Sequence, residues 1–170
     1  MAAREVHRLK IANKEGSVKD RKYCEHCGQA IVVYKHSFTK SLANLLIKIA
    51  GHYEPKQFFN IKQDMLDKGF ITPNDYTNFS HLKYWDLVDK YFDDKGRVGG
   101  TWFLTDRAYR VIKAHEELES FVRVYNNRVI ERSMRMVGLS QFVGYYQDRI
   151  AWAKAGKPIT QCELNFSKKT

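Results

Sequence analysis

Leu42, Leu45, Leu46 and Ile49 recur at the three-and-four spacing of a helix with one buried face, and Ser37 or Thr39 stands where a capping hydroxyl belongs. Gly51 predicts the end of that helix. After Pro55, Phe58 to Ile61 reads as a short extended piece, followed by a shorter helix over 62–68 that Gly69 closes. Thr72-Pro73 joins a capping hydroxyl to a proline at the first helical position, and the helix it opens carries Phe79, Leu82 and Trp85 on one face. Two apolar runs, Tyr91-Phe92 and Thr101 to Leu104, flank a loop of Asp, Gly and charge, which predicts a hairpin. Thr105-Asp106 caps a helix from Arg107 to about Leu118. A second hairpin is expected in "SFVRVYNNRVIER", with Asn126-Asn127 as its turn because asparagine tolerates positive φ. The last helix is expected from Ser140 to Ala155, stopped by Gly156 and Pro158, with Phe142, Tyr145, Ile150 and Trp152 facing the core. On the N-terminal side, Tyr23 to Tyr34 reads as a tight turn at two cysteines and then a strand through β-branched Ile31, Val32 and Val33.

Helix, short strand, helix, helix with a polar outer face, hairpin, helix is the order of a winged helix-turn-helix, whose third helix enters the major groove while the hairpin wing touches backbone or minor groove. The expected fold class is therefore α+β: a winged helix-turn-helix core, an N-terminal zinc-knuckle, and a C-terminal hairpin plus helix. The expected domains are a basic flexible arm at 1–20, the zinc-knuckle at 21–36, the winged-helix domain at 37–118, and the C-terminal hairpin, helix and tail at 119–170. The stretch "FSHLKYWDLVDKY…GGTWFLTDRAYRVI" resembles the recognition-helix-to-wing segment of winged-helix regulators. Trp102-Phe103-Leu104-Thr105 matches their aromatic-leucine-threonine return strand. Asp86-Leu87-Val88 stands where their glycine-leucine exit lies, and Ala108 replaces their usual glycine. Taken from the Cys24 knuckle through His36, the Phe79 to Leu87 helix and "VYNNRVI", most of the chain also resembles a group of small phage-encoded proteins. These combine a CxxCG knuckle with a winged-helix-like core and have no assigned activity.

Charge sharpens the picture. The 170 residues carry 29 Lys+Arg against 19 Asp+Glu, a net +10, with an isoelectric point near 9.5. A balance this basic puts nucleic acid first among partners, although acidic protein surfaces and anionic lipids attract such charge too. With Phe79, Leu82, Trp85 and Leu87 turned inward, the third helix presents Asn74, Thr77, Asn78, Ser80, His81, Lys83 and Tyr84 outward. Asn reads adenine bidentately, and Ser, His and Lys meet bases or phosphates, though an ordinary solvated helix face contains the same residue types. In the wing, Lys95, Arg97 and the glycines suit a phosphate-hugging loop, while Asp93 and Asp94 oppose it.

The leading expectation is a double-stranded DNA-binding protein, a phage or mobile-element transcriptional regulator. The alternative is a non-catalytic module that grips a host or viral protein such as transcription machinery. RNA is a further polyanion that fits the charge. No apolar run approaches the ~20 residues of a membrane helix; Ile31 to Tyr34 is the longest. The N-terminus lacks an apolar signal core, so the expected location is the cytoplasm.

In Cys24-Glu25-His26-Cys27-Gly28 the second cysteine is followed by glycine and then β-branched residues. A redox CxxC instead places its first cysteine at a helix N-terminus. Glycine permits the positive φ that points backbone N–H groups at thiolates, so a structural zinc is expected on Cys24 and Cys27, with His36 as third ligand. His26, His52, His7 and Cys162 compete for the fourth position. There is no phosphate-cradling lysine loop, HExxH or nucleophile elbow. Asp86, Asp89, Asp93 and Asp94 read as a helix end running into a turn, and the expectation is a protein that is not an enzyme.

Overall fold

In the computed structural model the described residues are 22–23, 26–28, 30–92, 94 and 98–150. The basic arm at 1–20, Cys24, the wing cations Lys95 and Arg97, and everything beyond Ile150 lie outside them. The fold is mixed α+β, and the chain divides between Val32 and Val33. Before that point β1 (Lys22–Tyr23) pairs antiparallel with β2 (Ala30–Ile31). Gly28, between these strands, sits at φ 67°, the positive φ that glycine adopts readily.

From Val33 onward two three-stranded antiparallel sheets share one chain. β3 (Tyr34–Ser37) leads into α1 (Lys40–His52), which starts where Thr39 accepts the Leu42 amide and runs one residue past Gly51. Its apolar face is buried at Leu42, Leu45, Leu46 and Ile49, as the spacing predicts. β4 (Phe59–Asn60) follows, and Asn60 then caps a π-helical segment, Ile61–Leu66, by accepting from the Lys62 and Gln63 amides. The expected α-helix is wider here: the amides of Asp67 and Phe70 reach back five residues, to Lys62 and Met65. Gly69 closes the turn at φ 74°.

Thr72 and Asp75 form a reciprocal capping box over α2 (Pro73–Phe79). The helix then tightens into a 3-10 segment, Ser80–Trp85, that ends on Asp86 in the left-handed conformation at φ 55°. Asp86 thus adopts the left-handed conformation that glycine takes most readily. β5 (Val88–Phe92) and β6 (Val98–Leu104) form the first hairpin, with a register shift between Lys90 and Phe92. β4 pairs with β6, not β5, so the sheet order is β4-β6-β5. Trp102 anchors this sheet, with Phe79 edge-on at 4.8 Å.

Thr105 caps α3 (Asp106–Lys113) by accepting the Ala108 amide. The helix stops five residues short of Leu118: His115 sits at φ 57°, and Leu118 enters β7 (Leu118–Glu119) instead. β8 (Phe121–Tyr125) and β9 (Arg128–Arg132) form the second hairpin, with Asn126 and Asn127 at φ 47° and 59°, both positive as a tight primed turn requires. β8 pairs with β3, giving the order β3-β8-β9. β10 (Met136–Val137) closes on β7. Among the described residues the expected long last helix is α4 (Ser140–Val143) and a 3-10 turn, Gln147–Arg149, because Gly144 interrupts them at φ 62°; its expected end, 151–155, lies outside the described residues. In consequence Tyr145 is exposed, and Tyr146 is the buried ring, its hydroxyl donating to the Ile112 carbonyl at 3.0 Å. Among the described residues no helix is long and apolar enough to cross a membrane.

Candidate nucleic-acid interface

The helix expected to read bases begins well held. Lys48 of α1 meets Asp75 at 2.8 Å, which ties the capped end of α2 to the core. Partial burial raises the Asp75 carboxyl, but hydrogen bonds from Lys48 and Thr72 outweigh it and hold the group below its ordinary value. Asn74, Thr77 and Ser80 are exposed and Asn78 half-buried. Thr77 Oγ1 donates to the Pro73 carbonyl at 3.0 Å and Asn78 Nδ2 to the Asn74 carbonyl at 3.0 Å. These bonds hold both side chains against their own helix and orient them outward.

Past Ser80 the expected outward face changes. Phe79, Leu82 and Trp85 are all buried at intervals of three, the repeat of a 3-10 helix, whose side chains eclipse at i and i+3. Trp85 is fully buried and its indole N–H donates to the Glu119 carbonyl at 2.7 Å. Tyr84, expected to face outward, is 8% exposed. The tightened turn swings it under the second sheet, where its hydroxyl donates to Asn127 Oδ1 at 3.4 Å. It is therefore withdrawn from the reading face, and His81 and Lys83 remain there half-buried.

His36 lies on β3 beside this segment, its ring 4.7 Å from that of His81 and 5.1 Å from Tyr84. Burial first, and then His81, lowers the His36 pKa; burial first, and then Lys83, lowers that of His81. A shallow cleft of about 290 Å³ opens beside them, lined by Ser37, Thr39, Ser41 and Asn78 among others. Of the expected zinc set, Cys24 lies outside the described residues and Cys27 is exposed. Among the described residues no group of three or more His, Cys, Asp or Glu side chains is arranged to hold a metal ion.

On the other flank of the 3-10 segment a larger cleft, about 410 Å³, is lined by Lys83, Tyr84, Asp86, Asn127, Arg128 and Arg132 among others. An ion-pair network runs beside it, and two of its members, Asp86 and Arg132, line it. Arg107, 17% exposed, meets Glu119 at 3.0 Å and Glu116 at 3.2 Å, and donates to the Trp85 carbonyl at 3.2 Å. Arg132 meets Asp86 at 2.8 Å and Glu119 at 3.4 Å. The network joins the end of the 3-10 segment to α3 and β9. Sequence reasoning passed over Asn127, Arg128 and Arg132, although the Asn126-Asn127 turn signal fixed where the hairpin exits. Lys95 and Arg97, the expected wing cations, lie outside the described residues.

Comparison of the chain with protein-family models, curated proteins and solved structures gives no match.

Proposed function

We propose that this chain is a DNA-binding protein, a phage or mobile-element transcriptional regulator built on a winged helix-turn-helix. The observation that carries the proposal is the pairing of β4 with the return strand β6, which threads α1, β4, the 61–66 helical turn, α2 with its 3-10 extension, β5 and β6 in winged-helix order. In such a module the α2 segment is the reading helix and β5–β6 the wing. Asn74, Thr77, Asn78 and Ser80 form its polar face, and His81 and Lys83 continue it toward the phosphates. Net charge of +10 supplies attraction to the polyanion.

The proposal is tested by selecting bound duplexes from a randomised pool. An enriched motif that Asn74→Ala or Asn78→Ala relaxes at one or two positions supports it, since each good base contact contributes about 1–3 kcal/mol of discrimination. Enrichment indistinguishable between wild type and both variants counts against this helix as the reader.

One observation favours the second reading, a protein-docking module. Phe58 and Tyr91 stand 54% and 41% exposed on the outer face of the first sheet, with ring centroids 4.7 Å apart. Such an aromatic pair suits a protein interface, whose affinity changes little with salt. Zinc on the Cys24–Cys27 pair is proposed as a structural metal, read directly as metal content of the purified chain.

A further inference from the structure

We infer that the β8–β9 hairpin is a second nucleic-acid contact, in which Lys83 and Arg128 take one backbone phosphate of the duplex into the cleft between them. This rests on the DNA-binding reading and extends it to an element outside the winged-helix order.

The charges around the cleft are unevenly matched. One acidic lining residue, Asp86, is neutralised by Arg132 at 2.8 Å and by Arg107 at 3.7 Å. Glu119 is neutralised by the same two arginines. Lys83 and Arg128 differ: among the described residues neither has a carboxylate within ion-pair distance. The network thus engages Asp86 and Glu119 and, among the described residues, leaves two rim cations unpaired. An open, polar cleft with uncompensated cations is what a phosphate needs, because its oxygens accept charge-assisted bonds from ammonium and guanidinium groups.

The two cations are also brought together by the fold. Lys83 lies one residue before Tyr84, whose hydroxyl bonds Asn127, and Asn127 directly precedes Arg128. Lys83 and Arg128 therefore flank a single hydrogen bond between helix and hairpin tip. The tip is fixed by its two positive-φ asparagines, and Arg128 at its exit is exposed. A duplex read by α2 must carry its backbone past the helix end that holds Lys83. The occupant this geometry fits is that backbone.

One lining group opposes phosphate binding. Asp89 is exposed, and among the described residues its carboxylate accepts only the Lys90 amide, at 2.8 Å. It is the charge in the cleft that no cation offsets, so it supplies a test in the direction of gain. Asp89→Asn keeps an oxygen for the Lys90 amide while deleting the charge.

The experiment is fluorescence anisotropy of a labelled mixed-sequence duplex with the full chain, over about 50 to 200 mM salt. Arg128→Ala is expected to weaken binding roughly three- to tenfold at the lower salt, equally across sequences, and to reduce the salt slope by about one. Asp89→Asn is expected to tighten binding roughly two- to fivefold, which loss of folding cannot imitate. If wild type binds while Arg128→Ala keeps its affinity and slope, the second contact is overturned and the DNA-binding reading stands. Asp89→Asn binding no tighter than wild type overturns the second contact in the same way. Wild type failing to bind at the lower salt is a different result, which removes the DNA-binding reading and this contact with it.

Discussion

The molecule contains two hairpins built to opposite rules. β5–β6 has a five-residue connection, 93–97, and a register shift, and is held by a large ring: Trp102 packs against Phe79 at 4.8 Å, with the Lys90 ammonium 4.9 Å above it. β8–β9 has a two-residue turn, a smaller apolar contribution from Val122 and Val124, and ion pairs that attach it to the end of the 3-10 segment and to β7. The first is fixed by its body, the second by its tip and its charges. A tight turn decides where its neighbours lie, so Arg128 can be located beside Lys83.

The comparison is broken most violently at the body of the first hairpin. Trp102→Ala should cost about 3–5 kcal/mol, since it empties a large aromatic site shared by β4, α2 and β6; urea denaturation measures it, and a loss below about 1 kcal/mol would deny Trp102 its anchoring role. Next comes the attachment of the second hairpin. Arg107→Ala should cost about 2–3 kcal/mol, because Glu119 loses one of its two arginines and the Trp85 carbonyl loses its guanidinium donor. A double-mutant cycle with Arg132→Ala should be non-additive, as both side chains serve Glu119 and Asp86. Third is the tip itself. Asn126→Val places a β-branched residue at φ 47° and should cost about 1–2 kcal/mol, with chemical-shift changes centred on Tyr125 to Val129.

The smallest effect concerns pH. His36 and His81 join β3 to the 3-10 segment, and both are held below the ordinary imidazole value, chiefly by burial. A lowered folded pKa means the neutral form is favoured on folding. That stabilisation is complete above about pH 6.5 and is lost as pH falls through the lowered folded values. The unfolding midpoint should therefore decline between about pH 7 and about pH 5, and a His36→Gln, His81→Gln variant should flatten the decline.

Local chemistry was legible from residues alone. Thr39, Thr72-Pro73 and Thr105 cap helices where their hydroxyls predict, and Asn126-Asn127 makes the turn. Those signals act over three or four residues, and no distant partner overrides them. The reading face was less legible. On a 3.6-residue wheel Tyr84 points outward, yet the i, i+3, i+6 spacing of Phe79, Leu82 and Trp85 already carried the three-residue repeat that turns it inward. The C-terminal helix failed for a similar reason, since a glycine within an apolar pattern outweighed the periodicity. What no local pattern holds is long-range juxtaposition. His36 meets His81, and Arg132 meets Asp86, only because β3 pairs with β8 and β9 completes the sheet.

The most direct test of the DNA-binding reading is duplex affinity of the wild-type chain at about 50 and about 200 mM salt. Contacts to several phosphates predict a fall in affinity of roughly two orders of magnitude or more, because each neutralised phosphate releases condensed counterions. No binding at the lower salt, or binding that salt leaves unchanged, would contradict that reading and turn attention to the exposed Phe58–Tyr91 face.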